Sequence, residues 1–100
     1  MRWFLSEAAH NELLEAEARY DLEDLLLGKA FSSEVIEALD EISLHPRRSP
    51  IFGSKAIRRR LLSGLPYAII YEIRTDHIRV LAIMHTSRRP GYWRRRVTKK

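Results

Sequence analysis

Two runs of β-branched and aromatic residues, Tyr67-Ala-Ile-Ile-Tyr-Glu-Ile73 and Ile78-Arg-Val-Leu-Ala-Ile-Met84, flank the short polar segment Arg74-Thr-Asp-His77. Runs of this length and type read as strands, and two joined by so short a turn pair antiparallel. The pairing carries its own check. Ile73 opposite Ile78 sets Glu72 opposite Arg79, an attractive cross-strand pair, and Tyr71 opposite Val80. Side chains alternate along a strand. This register predicts one face made of Tyr67, Ile69, Tyr71, Ile73, Ile78, Val80, Ala82 and Met84. The second, more polar and open face carries Ala68, Ile70, Glu72, Arg74, Arg79, Leu81, Ile83 and His85.

The first face needs a cover, and the N-terminal half supplies one. Leu5, Ala9, Leu13, Ala16 and Tyr20 recur at helical spacing, which predicts a helix over about 7–27. Ser6 is its N-cap and Gly28 its stop. Ser32 or Ser33 caps a second helix with the stripe Val35, Ile36, Leu39 and Ile42, ended by Pro46. Trp3-Phe4-Leu5 is a short first strand. The segment from His45 to Ser54, with Pro46, Pro50 and Gly53, reads as a loop, and Ala56–Leu62 as a strand interrupted by Arg58, Arg59 and Arg60. The expected architecture is α+β: an N-terminal helical hairpin packed on a small twisted antiparallel sheet, as one domain over 1–100.

With no cysteine, neither a disulfide nor a thiolate-bound metal can hold the fold, so its apolar core must. No apolar run approaches the roughly 20 residues of a membrane helix, and the opening Met1–Leu5 is too short for a signal sequence. These features predict a cytoplasmic protein without a membrane partner. Charge is split along the chain. Residues 1–54 carry five basic against eleven acidic residues, a balance of −6. Residues 55–100 carry thirteen basic residues against Glu72 and Asp76 alone, a balance of +11. Such segregation suits a polyanion or an acidic protein as partner of the C-terminal half.

Chemistry concentrates where the last strand ends, in His85-Thr-Ser-Arg88-Arg89-Pro90-Gly91-Tyr92-Trp93-Arg94-Arg95-Arg96. Cutting RNA without a metal requires activation of a 2′-hydroxyl, charge stabilisation at phosphorus and protonation of the leaving oxygen. Arginine supplies the second, and histidine or tyrosine the proton transfers. No carboxylate pair or metal-ligand spacing competes, so neither metal nor cofactor is expected. His85 is a candidate general acid or base, or else a sheet-end histidine bonded to a neighbour. Arg88 and Arg89 can hold phosphates or acidic groups, or lie in a solvated turn. Tyr92 can stack a base or move a proton, or close the sheet edge. Trp93 reads as an anchor. Arg94, Arg95, Arg96, Lys99 and Lys100 read as a basic tail, from about residue 94, that steers electrostatically. Arg58 and Arg60 share one face of the basic strand and Arg59 the other, with Lys55 at its start, so only some of these cations can reach one groove.

In order and spacing the chain resembles the RelE/ParE superfamily of bacterial toxins. The residues that carry the resemblance are Phe31 in the second helix, the basic strand Ile57-Arg-Arg-Arg-Leu-Leu62, Leu65-Pro-Tyr-Ala-Ile-Ile-Tyr71, and His85 through Trp93. The resemblance implies the toxin of a type II toxin–antitoxin module. Its partner is a small, acidic, DNA-binding antitoxin, and its target either mRNA on the ribosome or DNA gyrase. It also implies that Arg59 binds the scissile phosphate from the middle of the sheet, beside His85, Arg88 and Tyr92. Ribosome-dependent mRNA cleavage is the first expectation and non-enzymatic gyrase inhibition the second. A nucleic-acid-binding module without toxicity is the third, on charge alone. Mean lysine density on the basic strand is low, with Lys55 alone where the mRNA-cleaving members carry more, and arginine is a poor proton donor.

Overall fold

A computed structural model describes residues 1–98 of the chain. The two apolar strands, β4 (Tyr67–Ile73) and β5 (His77–His85), pair antiparallel with Ile73 opposite Ile78, Glu72 opposite Arg79 and Tyr71 opposite Val80, as the alternation predicts. Before them come β1 (Arg2–Leu5), α1 (Glu7–Glu23), α2 (Leu25–Leu44), β2 (Ile51–Phe52) and β3 (Ser54–Leu61). A single 3₁₀ turn at Arg94–Arg96 follows them. The sheet order is β1-β5-β4-β3-β2. β1 runs parallel to β5, and the other neighbours are antiparallel. The α+β architecture with its helical hairpin is as expected. The parallel first strand makes the sheet mixed. No described helix is long and apolar enough to cross a membrane.

The helical hairpin turns earlier than the sequence suggests. Ser6 caps α1 as expected, its hydroxyl accepting from the Ala9 N–H at 3.1 Å. The break, however, falls at Asp24, whose carboxylate accepts from the Leu26 N–H at 2.8 Å and so caps α2. Gly28 is therefore not a stop. It lies buried inside α2, where a Cβ would sit 1.7 Å from an oxygen of Asp21 on α1. Its missing side chain lets the two helices approach. Ser32 and Ser33 lie within α2 and cap nothing; Ser32 donates to the Glu17 carboxylate of α1. The span His45–Ser54 also holds more than a loop, since Ile51 and Phe52 form β2 on β3.

The larger correction concerns the faces of the sheet. Tyr71 opposes Val80 but Ile70 opposes Ala82, so Leu81 is the extra residue of a β-bulge. Beyond it the phase of β5 reverses. Ala82 and Met84 turn to the face away from the helices, and Ile83 and His85 turn toward them. The packing agrees. One cluster joins Phe31, Val35, Leu39 and Ile42 of α2 to Tyr67, Ile69, Tyr71, Ile78, Val80 and Ile83. The second joins Ile57, Ala68, Ile70, Leu81, Ala82 and Met84 to Trp93, with Phe52, Tyr92 and Val97 at its margin. The face expected to be open is thus covered by the C-terminal segment 88–98, called the strap below.

Candidate functional site

The strap reaches its place through Gly91, whose φ of +77° is one that side-chain-bearing residues rarely adopt. After this turn Trp93 is buried (3% exposed) and lies 5.6 Å, centroid to centroid, from Phe52. Trp93 is the anchor that the sequence predicts. Arg94–Arg96 form a turn folded against the domain, so the chain is not a free tail at these positions. Lys99 and Lys100 lie outside the described residues.

A carboxylate that sequence reasoning passed over ties the strap down. Glu12 of α1 accepts from the Tyr92 hydroxyl at 2.8 Å and from both terminal nitrogens of Arg96, at 2.9 and 3.1 Å. It also accepts from the Ile83 N–H at 3.0 Å. Arg96 in turn donates to the Leu81 carbonyl at 3.0 Å. β1 pairs β5 only as far as Val80, so Glu12 and Arg96 satisfy backbone groups of β5 that have no strand beside them. The signal for Glu12 was available. It stands between Ala9 and Ala16 on the buried stripe of α1, where an acid needs a partner. At the far end of the strap, Arg79 donates to the Arg96 carbonyl at 2.6 Å. Buried Glu72 receives the Thr98 N–H at 3.4 Å.

This network consumes Tyr92. Its ring has the Arg88 guanidinium at 4.0 Å on its face and that of Arg96 at 4.9 Å. Burial, and then the hydrogen bond to Glu12 and its negative charge, push the hydroxyl well above the ordinary tyrosine range. A phenol so placed keeps its proton at neutral pH.

His85 stands on the other side of the sheet. Its ring meets Tyr67 edge-on at 5.0 Å, and its Nδ1 accepts the Ser87 N–H at 3.1 Å. With Nδ1 occupied as acceptor, the proton of the neutral ring is on Nε2. The ring lines a cleft of about 460 Å³ together with Arg88, Tyr67, Glu15 and Glu23. On the α1 wall of this cleft Glu12, Glu15 and Glu23 outnumber Arg19, a poor match to an RNA backbone.

Arg59 lies on the strap side, its guanidinium 4.5 Å from the Phe52 ring centre. Its neighbours face the helices. Arg58 donates to the carbonyls of Arg47 and Ser49 at 3.1 and 2.9 Å, holding the loop after α2, and Arg60 pairs with Glu41 of α2. Lys55 lines a shallow groove at the sheet edge with Arg47 and Arg58. Arg89, Arg94 and Arg95 are exposed. The fold therefore brings His85 to Arg88, and Arg88 to Tyr92. It does not bring His85 to Arg59, because the bulge at Leu81 puts them on opposite faces.

Residues 4–90 match the sequence model of the ParE toxin of the type II toxin–antitoxin system parDE. The chain belongs to the ParE toxin family. Its fold is also that of a chain in a solved structure described as the chromosomal ParDE TA system from P. aeruginosa. The TM-score is 0.74 at 14% identity, over 87% of this chain and 97% of the other. No curated protein matches it in sequence.

Proposed function

We propose that this ParE-family chain is a growth-arresting toxin that inhibits DNA gyrase by binding, without catalysis, and is neutralised in the cytoplasm by a small, acidic, DNA-binding antitoxin. One observation carries the choice of target. Arg59, the expected phosphate ligand, and His85, the expected proton carrier, lie on opposite faces of the sheet. General acid–base catalysis needs both groups within hydrogen-bond reach of one phosphodiester. Tyr92, the other candidate proton carrier, is bound to Glu12 and holds its proton firmly. Ribosome-dependent mRNA cleavage, the first expectation from the sequence, lacks this convergence. The antitoxin follows from membership in a toxin–antitoxin family, and its acidic character from the cationic surface it must cover.

Two assays with the purified chain separate the targets. Gyrase supercoiling should be inhibited with accumulation of cleaved DNA–gyrase complexes, while a cell-free translation reaction keeps its transcripts intact. Cleaved transcripts in the translation reaction, with supercoiling unaffected, would overturn the proposal.

A further inference from the structure

The strap face carries cations that the fold leaves unneutralised. Arg59 lies over Phe52, Phe52 packs on Trp93, and the exposed Arg94 and Arg95 follow Trp93 in the turn of the strap. Among the described residues no carboxylate pairs with any of the three. The acids of the chain are mostly on α1 and α2, behind the sheet. The aromatic residues of this face are equally telling. Trp93 is buried, Phe52 lies under Arg59, and Tyr92 lies between Arg88 and Arg96. Proteins that hold single-stranded nucleic acid offer open aromatic faces on which bases stack. This surface offers charge and no open ring.

We infer that the strap face binds the phosphate backbone of duplex DNA, through Arg59, Arg94 and Arg95, without reading its sequence. The inference rests on the gyrase reading, which it deepens: the toxin would engage DNA as well as enzyme in the gyrase–DNA complex. A duplex suits the surface because its phosphates lie in regular rows on a stiff rod, within reach of cations carried by a strand and a packed turn. An acidic protein segment is the competing occupant.

The test is fluorescence anisotropy of a short labelled DNA duplex, and of its isolated strand, with the full antitoxin-free chain over a range of salt. Each phosphate contact contributes about 0.9 to the log–log salt slope on duplex DNA, so three contribute about 2.7. R94Q/R95Q should reduce the slope by about 1.8, and Arg59→Gln alone by about 0.9. Lys29→Gln, on the helical layer, should leave it unchanged. Tryptophan fluorescence, against the common contribution of Trp3, reports whether Trp93 stays buried in each variant. Tighter binding to duplex than to single strand, with these slope changes, supports the inference. Absence of salt-dependent DNA binding, a slope indifferent to R94Q/R95Q, or preference for the single strand overturns it. Binding to polyglutamate but not to duplex overturns it in favour of an acidic protein occupant. A supercoiling assay in parallel keeps the two readings apart. Gyrase inhibition without DNA binding defeats only the DNA inference, and DNA binding without gyrase inhibition defeats only the choice of target.

Discussion

The two faces of the central sheet are both covered, but by different physical means. On one side α2 sets Phe31, Val35, Leu39 and Ile42, all with 0–1% exposure, against six apolar residues of β4 and β5. On the other side the strap relies on a single large anchor, Trp93, and on polar bonds to Glu12, Glu72 and Arg79. The first cover spreads its energy over many apolar contacts. The second concentrates it in a few groups whose loss lets the segment come away. Proteins open locally where buried apolar contact is sparse, so the strap is the unit expected to open below the global unfolding energy. It also carries the unpaired arginines. The helical face holds the fold together, and the strap face presents charge.

Cutting into the helical cover should give the largest effect. Leu39→Ala removes a fully buried side chain and should cost about 2–5 kcal/mol, a large part of the stability of a domain this size. Far-ultraviolet circular dichroism and tryptophan fluorescence should lose signal at the same, lower denaturant concentration. A fall in the circular dichroism midpoint alone would show that the helical face also opens piecemeal, and the contrast would be lost.

Glu12→Ala strikes the strap instead. It removes the acceptor shared by Tyr92, Arg96 and the Ile83 N–H, with charge-assisted bonds worth about 1.5–3 kcal/mol each. Amide exchange should rise first at residues 92–97 and at Ile83, while β4 keeps its protection. Uniform loss of protection across the sheet would mean that the strap is not a separate unit.

The same contrast explains what could be read in the sequence. The hairpin register was legible because Glu72 and Arg79 mark its phase, and the helical stripes because their apolar residues recur among acids. The bulge was not. Val80-Leu-Ala-Ile-Met84 is apolar throughout, so no polar residue reports which way each side chain points once the ladder slips. That one slip moved His85 to the helical face and separated it from Arg59. The helix break was hidden similarly, because Leu25-Leu26-Leu27 continues the apolar pattern past Asp24, and Gly28 offered a more familiar stop. Trp93 was legible as an anchor, whereas the role of Glu12 depends on a segment 80 residues away that no local pattern reveals.

Tyr92→Phe tests the strap more gently. It removes one charge-assisted bond to Glu12 and keeps the ring against its two arginines, for a cost of about 1.5–3 kcal/mol. Its pH dependence has a definite sign. The pKa of the folded hydroxyl is raised above the ordinary tyrosine range, first by burial and then by Glu12. The neutral phenol is therefore favoured in the folded state. Its contribution is fully present below pH about 10 and is lost as pH rises beyond, where the unfolded chain ionises first. Tyr20 and Tyr71, also raised chiefly by burial, keep some alkaline loss in the variant. The stability difference between wild type and variant should shrink above pH about 10. A difference that grows with alkalinity would mean that Tyr92 ionises more readily when folded.

The smallest effect should come from Gly28, back on the helical face. A Cβ there meets the Asp21 carboxylate at 1.7 Å but stays 3.4 Å from the Glu17 carbonyl. Asp21 is exposed, and its short side chain can rotate into solvent. Alanine also favours the helix over glycine by about 0.8–1 kcal/mol. The gain and the rotation largely offset each other, so Gly28→Ala should change stability by less than about 1 kcal/mol. Gly28→Leu adds atoms that cannot avoid the backbone of α1, so it should lower the melting temperature clearly. If alanine proves as damaging as leucine, Asp21 is pinned, and the close approach of the helices is as intolerant of change as the apolar core beneath them.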